Sequence, residues 1–104
     1  MNLRVVREAL KETERAAEDY EEKQVGLGED FLQDLEIAYS RIEKVPRVHY
    51  QITIPMLEGR EFRRAMLHRF PYRVIYEVRD AEVIVFAVAH VKRKPNYWLS
   101  RAVD

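Results

Sequence analysis

The chain has 104 residues, of which 47% are hydrophobic, and it carries 18 basic and 18 acidic side chains. These values predict one globular domain over residues 1–104 and exclude a disordered chain. The absence of cysteine excludes disulfides and thiolate nucleophiles, and since no apolar run suits a signal peptide or a membrane span, we expect a cytoplasmic protein with no membrane partner.

The charge is unevenly distributed along the chain. Residues 1–45 carry 7 Lys/Arg and 12 Asp/Glu, a balance of −5, whereas residues 46–104 carry 11 and 6, a balance of +5. Such an asymmetry indicates a basic working surface on the second half. A preference of helices for Glu and a tolerance of strands for Arg would produce the same imbalance.

The first half of the chain predicts one strand and two helices. Residues 3–7 are short and β-branched, which favours a strand. From Glu8 onward, apolar residues recur every three or four positions, and the charged residues between them form a solvated face (Glu12, Glu14, Arg15, Glu18 and Asp19). The glycines of residues 26–28 end this helix. A second helix opens with acids at residues 29–30 and stops at Pro46, so we expect an antiparallel hairpin.

The second half predicts a meander of three strands, at residues 61–67, 72–78 and 83–91, joined by tight turns. Residues 47–60 are predicted to be a loop, and a terminal helical turn is predicted after Pro95. The order β-α-α-β-β-β is typical of a two-layer α+β domain. In this fold the helical hairpin packs on one face of a small, mainly antiparallel sheet.

Arg73 occupies a central position in the middle strand of this meander. Strand alternation puts Arg73, Ile75 and Glu77 on one face and a second set on the other (Tyr72, Val74, Tyr76 and Val78). If the Val74 face packs beneath the helices, Arg73 projects from the open face of the sheet. The alternative interpretation is that Arg73 forms an ion pair with Glu77 or with Glu61 on the neighbouring strand.

Further basic and proton-carrying side chains are expected near Arg73. Arg64 lies on the preceding strand, and His90, Arg93 and Tyr97 lie at or beyond the end of the last strand. Guanidinium groups hold phosphate oxygens in a fork and stabilise extra negative charge, and a His or Tyr transfers protons. Structural roles for His90 and Tyr97 remain open, because a lone histidine or a terminal aromatic residue commonly packs.

Metal binding is not expected. The remaining histidines, His49 and His68, lack ligand spacing for a metal ion. No cofactor and no small-molecule substrate are expected either.

Three motifs, in this order, resemble the RelE/ParE superfamily of toxins from bacterial type II toxin–antitoxin modules, also labelled plasmid stabilisation proteins. They are GLG at residues 26–28, RFPYRVIYEV at residues 69–78 and HVKRKPNYW at residues 90–98. The resemblance extends over nearly the whole chain. It implies a toxin held inactive by a cognate antitoxin, whose partly disordered segment covers the basic face of the sheet.

The RelE-like branch of this superfamily implies an endoribonuclease that cuts mRNA on the ribosome. The resemblance carries basic roles over to Arg64, Arg73 and Arg93, and proton transfer to Tyr97 or His90. Met66 stands where this branch has a lysine. A net charge of zero is low for a protein that must bind ribosomal RNA.

The ParE-like branch implies a poison of DNA gyrase that is not a nuclease. The motif FPY at residues 70–72 and the residues from His90 to Arg101 are closer to this branch. We therefore expect a ParE-like growth inhibitor. The alternatives are the ribosome-dependent nuclease and a non-toxic relative that serves only as a binding partner.

Overall fold

The computed structural model describes residues 1–103, which form two layers. In chain order the elements are β1 (Asn2–Val5), α1 (Arg7–Lys23), α2 (Leu27–Lys44), β2 (Tyr50–Ile52), a 3₁₀ turn (Pro55–Leu57), β3 (Glu61–Met66), β4 (Tyr72–Arg79), β5 (Glu82–His90) and α3 (Leu99–Ala102). The sheet order is β1-β5-β4-β3-β2, with β1 parallel to β5 and the other pairs antiparallel. The predicted α+β class, the helical hairpin and the three-strand meander are confirmed.

Two predictions about individual elements are wrong. The first strand ends at Val5, and Arg7 already belongs to α1. Residues 47–60, predicted as a loop, contain β2 and the 3₁₀ turn. With only three residues, β2 is too short to show strand alternation, and it exists because it pairs with β3.

The helices pack on the face of the sheet that alternation predicts. Val74, Tyr76 and Val78 of β4 are buried against α2 residues such as Phe31 and Leu35. At one end of this layer, four aromatic rings meet at centroid distances of 4.8–6.1 Å, several of them edge-on (Tyr20, Phe31, Phe70 and Tyr72). Edge-to-face contacts of this kind add to the stabilisation from buried area. Two residues of the FPY motif, Phe70 and Tyr72, therefore form part of the core.

The opposite face of the sheet is only partly open. A second buried cluster lies there, and Trp98 and Ala102 of the C-terminal segment cover it (Phe62, Ile75, Ile84, Phe86, Ala87 and Ala89). Because both faces of β5 are covered, its sequence is almost wholly apolar. The face from which Arg73 is expected to project is thus open only in part, since the chain after β5 folds back over the rest of it.

The connection between the helices depends on two glycines and one carboxylate. Gly26 has a φ of 90°, which favours glycine. The Glu21 carboxylate accepts hydrogen bonds from the backbone N–H groups of Gly26 and Gly28, at 3.0–3.1 Å. A Cβ atom on Gly28 would lie 2.5 Å from the carbonyl oxygen of Ala17. The absence of a side chain at Gly28 thus sets how closely α2 approaches α1.

We expect Gly28→Ala to lower the free energy of unfolding by about 1–3 kcal/mol, because the helices must separate to admit the methyl group. Urea denaturation followed by circular dichroism measures this loss. Lys11→Ala, at an exposed position of α1, serves as the control. An unchanged unfolding midpoint for Gly28→Ala would show that the close approach is not required.

Candidate functional site

A cleft of about 390 Å³ lies on the part of the second sheet face that the C-terminal segment leaves open. Strands β2 to β5 form its floor, and the chain after β5 forms one wall. All five residues predicted for the site line this cleft (Arg64, Arg73, His90, Arg93 and Tyr97), together with residues such as Tyr50 and Lys94. No Asp or Glu side chain is among the lining residues of the described chain.

Strand register brings the two sheet arginines to the floor of the cleft. Arg73 is paired with Met66 on β3 and with Ala89 on β5. Arg64 is paired with Ile75, two positions further along β4. Diagonal neighbours of this kind lie within reach of long side chains. The prediction that Arg73 projects away from the helical layer is confirmed.

Arg73 has few partners within the protein. Its Nη2 donates a hydrogen bond of 3.5 Å to the carbonyl of Val91, and its Nε is buried without a hydrogen-bond partner. Within residues 1–103 it forms no ion pair with a carboxylate. A buried donor that remains unsatisfied is costly. The floor of the cleft therefore holds a charged donor that favours an incoming anion.

The two acids considered as partners of Arg73 pair with other residues. Glu77 accepts hydrogen bonds from Arg60 and Arg79, at 2.8–3.0 Å. Burial alone would raise the pKa of Glu77, but these guanidinium groups outweigh it and hold that pKa below its usual range. Glu61 is bound by Arg47 and Arg63. The alternative interpretation, internal ion pairing of Arg73, is thus wrong.

The other two arginines of the cleft, Arg64 and Arg93, each lie over an aromatic ring. The Arg64 guanidinium lies 4.3 Å from the centroid of Tyr50, and the Arg93 guanidinium lies 3.8 Å from the centroid of Tyr97. Cation–π contacts of this kind orient a guanidinium without neutralising its charge. Neither arginine forms a salt bridge within the part of the chain that the structure describes.

His90 has a structural contact on each side. Its Nδ1 accepts a hydrogen bond of 3.0 Å from the backbone N–H of Lys92, and its ring packs edge-on against Tyr72 at 5.2 Å. The neutral ring therefore carries its proton on Nε2. In this geometry His90 closes the turn that leads from β5 into the cleft wall.

Tyr97 is held by Glu12, a residue that sequence reasoning placed on the solvated face of α1. The Tyr97 hydroxyl donates a hydrogen bond of 2.5 Å to the Glu12 carboxylate. The same carboxylate accepts two bonds from Arg101, at 2.8 and 3.1 Å, and one from the backbone N–H of Val88 at 3.1 Å. Burial, reinforced by the bond to Glu12, raises the pKa of Tyr97.

The position of Glu12 has a simple topological cause. β1 ends at Val5, which is paired with Val85, so on this side of β5 no strand of the described residues continues beyond Val85. The Glu12 carboxylate satisfies the backbone there and also binds the C-terminal segment. The spacing of Glu12 from Ala9 and Ala16, both buried, is a signal that could have identified it as inward-facing.

A second ion pair holds the far end of the C-terminal segment. Arg60 donates to the Glu77 carboxylate and, at 2.7 Å, to the carbonyl of Ala102. The cleft wall is thus attached to α1 through Glu12 and to the sheet through Arg60. Both attachments are mostly buried, so the wall has a defined position relative to the floor.

The two-layer fold and the guanidinium groups that lack a carboxylate partner within residues 1–103 define a small α+β protein with a cationic cleft. The family model described as the ParE toxin of the type II toxin–antitoxin system parDE matches residues 3–95, and the chain belongs to this family. It is the toxin component of a type II toxin–antitoxin module, with a cognate antitoxin as its partner. The resemblance stated from the sequence motifs is confirmed.

A solved structure described as the chromosomal ParDE TA system from P. aeruginosa has a similar fold, with a TM-score of 0.61. The two chains are 16% identical, and the match covers 86% of this chain and 95% of that one. At this identity the likeness concerns the fold alone. None of the curated proteins that were compared matches the chain.

Two further observations concern membranes and metals. In residues 1–103 no helix combines the length and the apolar character needed to cross a membrane. The same residues contain no group of three or more His, Cys, Asp or Glu side chains arranged to hold a metal ion.

We expect Glu12→Ala to lower the free energy of unfolding by about 3 kcal/mol, because it leaves Arg101, the Tyr97 hydroxyl and a backbone N–H without their acceptor. Urea denaturation measures the loss. Glu14→Ala, on the exposed side of the same helix, should change stability by less than about 0.5 kcal/mol. Equal effects of the two substitutions would contradict the assigned role of Glu12.

Proposed function

We propose that this toxin arrests growth by binding DNA gyrase through its cationic cleft, and that it does not cleave RNA. The observation that carries the proposal is a contrast within the cleft. Within residues 1–103 the guanidinium groups of Arg64, Arg73 and Arg93 have no carboxylate partner, whereas both candidate proton carriers, Tyr97 and His90, already form hydrogen bonds. The cleft is therefore equipped to bind an anion rather than to transfer protons.

Cleavage of RNA at the 2′-hydroxyl needs a base to remove a proton and an acid to protonate the leaving group. Tyr97 directs its proton to Glu12, and its raised pKa disfavours release of that proton. His90 uses Nδ1 to accept a backbone hydrogen bond, which leaves no free basic nitrogen on the neutral ring. A nucleophile-activating base is thus missing from the five predicted residues.

Two observations support gyrase over the ribosome as the target. The matching family model is that of ParE, and the resemblance of that branch implies gyrase. Met66 lies opposite Arg73 in the register and is 48% exposed, in the place where the nuclease branch has a lysine. Because gyrase acts on the chromosome, this proposal places the toxin in the cytoplasm.

We assign the residues of the cleft roles in binding. Arg73 is the anchor, because its buried Nε lacks a partner within the described residues, and an acidic side chain would give it a charge-assisted hydrogen bond. Arg64 and Arg93 flank it and are held in place by Tyr50 and Tyr97. An antitoxin segment that covers this cleft would neutralise the toxin by occupying the same arginines.

Arg73→Ala should relieve growth arrest when the chain is induced alone in bacteria. The expected reason is loss of the anchor, which costs about 2–4 kcal/mol of binding if Arg73 is a hot spot. Arg4→Ala removes the same charge from the other end of the sheet, where Arg4 pairs with Glu82, and should leave the arrest unchanged. A folded Arg73→Ala protein that remains fully toxic would contradict the site.

Purified protein distinguishes the targets. We expect the wild-type protein to inhibit gyrase supercoiling and to leave mRNA on translating ribosomes uncut. Both assays are repeated with Arg73→Ala. Cleavage without an effect on gyrase would support the nuclease alternative. Normal growth on induction of the wild-type chain would support the non-toxic alternative.

A further inference from the structure

A second pocket, of about 420 Å³, lies beside the central cleft, between the end of α2, the chain that enters β2, and the end of β3. We call it the β2 pocket, and its lining residues are Arg41, Val48, His49, Tyr50, Arg64, Met66, Leu67 and His68. Only Tyr50 and Arg64 line both pockets. Of the five residues predicted for the functional site, Arg64 is the one that lines the β2 pocket.

Four of the eight residues that line the β2 pocket are Arg or His. It contains two guanidinium groups and two imidazoles, and no Asp or Glu is among its described lining residues. Arg41 lies 2.8 Å from the Nε2 of His68 and donates to it, so its charge is oriented but not neutralised. Burial, together with the charges of Arg41 and Arg63, lowers the pKa of His49. The pocket thus lacks an internal counter-charge and favours a negatively charged group.

The rim of the pocket is apolar and exposed. Val48 is 70% exposed, Tyr50 is 64% exposed and Met66 is 48% exposed. Arginine, tyrosine and methionine are enriched at protein–protein interfaces. The Nε2 of His49 is also buried without a partner within residues 1–103, and a ligand polar group that reached it would satisfy it.

The backbone beside the pocket offers an unpaired strand edge. β2 is the last strand in the sheet order, and among the described residues it pairs on one side only, with β3. An exposed edge of this kind accepts an extended segment as an additional strand, with alternate side chains entering neighbouring pockets. An occupant along β2 would direct every second side chain towards the basic pocket.

We propose that the β2 pocket docks an extended acidic segment of a partner protein, in which carboxylate side chains alternate with apolar ones. The carboxylates would bind Arg41 and Arg64, and the apolar side chains would cover Val48 and Met66. A single-stranded nucleic acid fits less well, because it requires free aromatic faces for stacking, and Arg64 already lies over the Tyr50 ring. This docking surface does not depend on gyrase being the target.

The test uses the full chain labelled with ¹⁵N and a short blocked peptide of alternating Glu and Val. We expect the peptide to shift the backbone amide signals of Val48, Tyr50 and His68. Arg41→Ala should weaken the binding measured at these amides by at least about fivefold. Arg69→Ala removes an exposed charge from the turn next to His68, outside both pockets, where Arg69 pairs with Asp30, and it should leave the affinity unchanged.

Failure of this proposal is distinguishable from failure of the proposed function. Arg73→Ala, which disables the central cleft, should leave the shifts at the β2 pocket intact. Shifts confined to the central cleft, no binding at all, or equal binding of a Lys–Val peptide would overturn the docking site. Equal shifts of the same amides with an oligothymidylate or with inorganic phosphate would overturn the peptide as occupant in favour of a phosphate ligand.

Discussion

The cleft exists because one carboxylate, that of Glu12, joins three parts of the chain that are distant in sequence. It accepts hydrogen bonds from the backbone of β5 at Val88, from Tyr97 and from Arg101. Without this acceptor the segment after β5 would have buried donors and no reason to lie against α1. The segment covers the second hydrophobic cluster and forms one wall of the cleft, so the position of Arg93 also depends on Glu12.

Ion pairs elsewhere on the sheet explain why the floor of the cleft stays cationic. On the sheet and its edges, the acidic residues are used to hold structure: Glu77 binds Arg60 and Arg79, and Glu61 binds Arg47 and Arg63. Glu77 lies on the same face of β4 as Arg73, and these pairs neutralise it, whereas the register places Glu61 opposite Val78. A protein with zero formal net charge thereby presents a central cleft with no Asp or Glu among its described lining residues. Local pairing, rather than net charge, decides what such a surface attracts.

Short-range patterns in the sequence predicted much of the fold and the position of Arg73. Alternation along β4 correctly placed Val74 towards the helices and Arg73 away from them, and the two glycines marked the turn of the hairpin. The contacts of Glu12 could not be predicted in this way, because its partners are 76 to 89 residues distant. The same holds for β2, which is too short to carry a pattern, and for Trp98, whose burial requires the C-terminal segment to fold back over the sheet.

The central claim is that the cleft acts by binding, with its candidate proton carriers serving structural roles. The most direct test removes both carriers at once, in a Tyr97→Phe, His90→Asn double variant whose folding is verified by circular dichroism. Arg101 still binds Glu12 in this variant and keeps the cleft wall in place, so if the cleft only binds, the variant should still arrest growth and inhibit gyrase supercoiling close to the level of the wild type. A folded double variant that has lost toxicity, while Arg64, Arg73 and Arg93 are intact, would contradict the account and restore proton transfer as the mechanism.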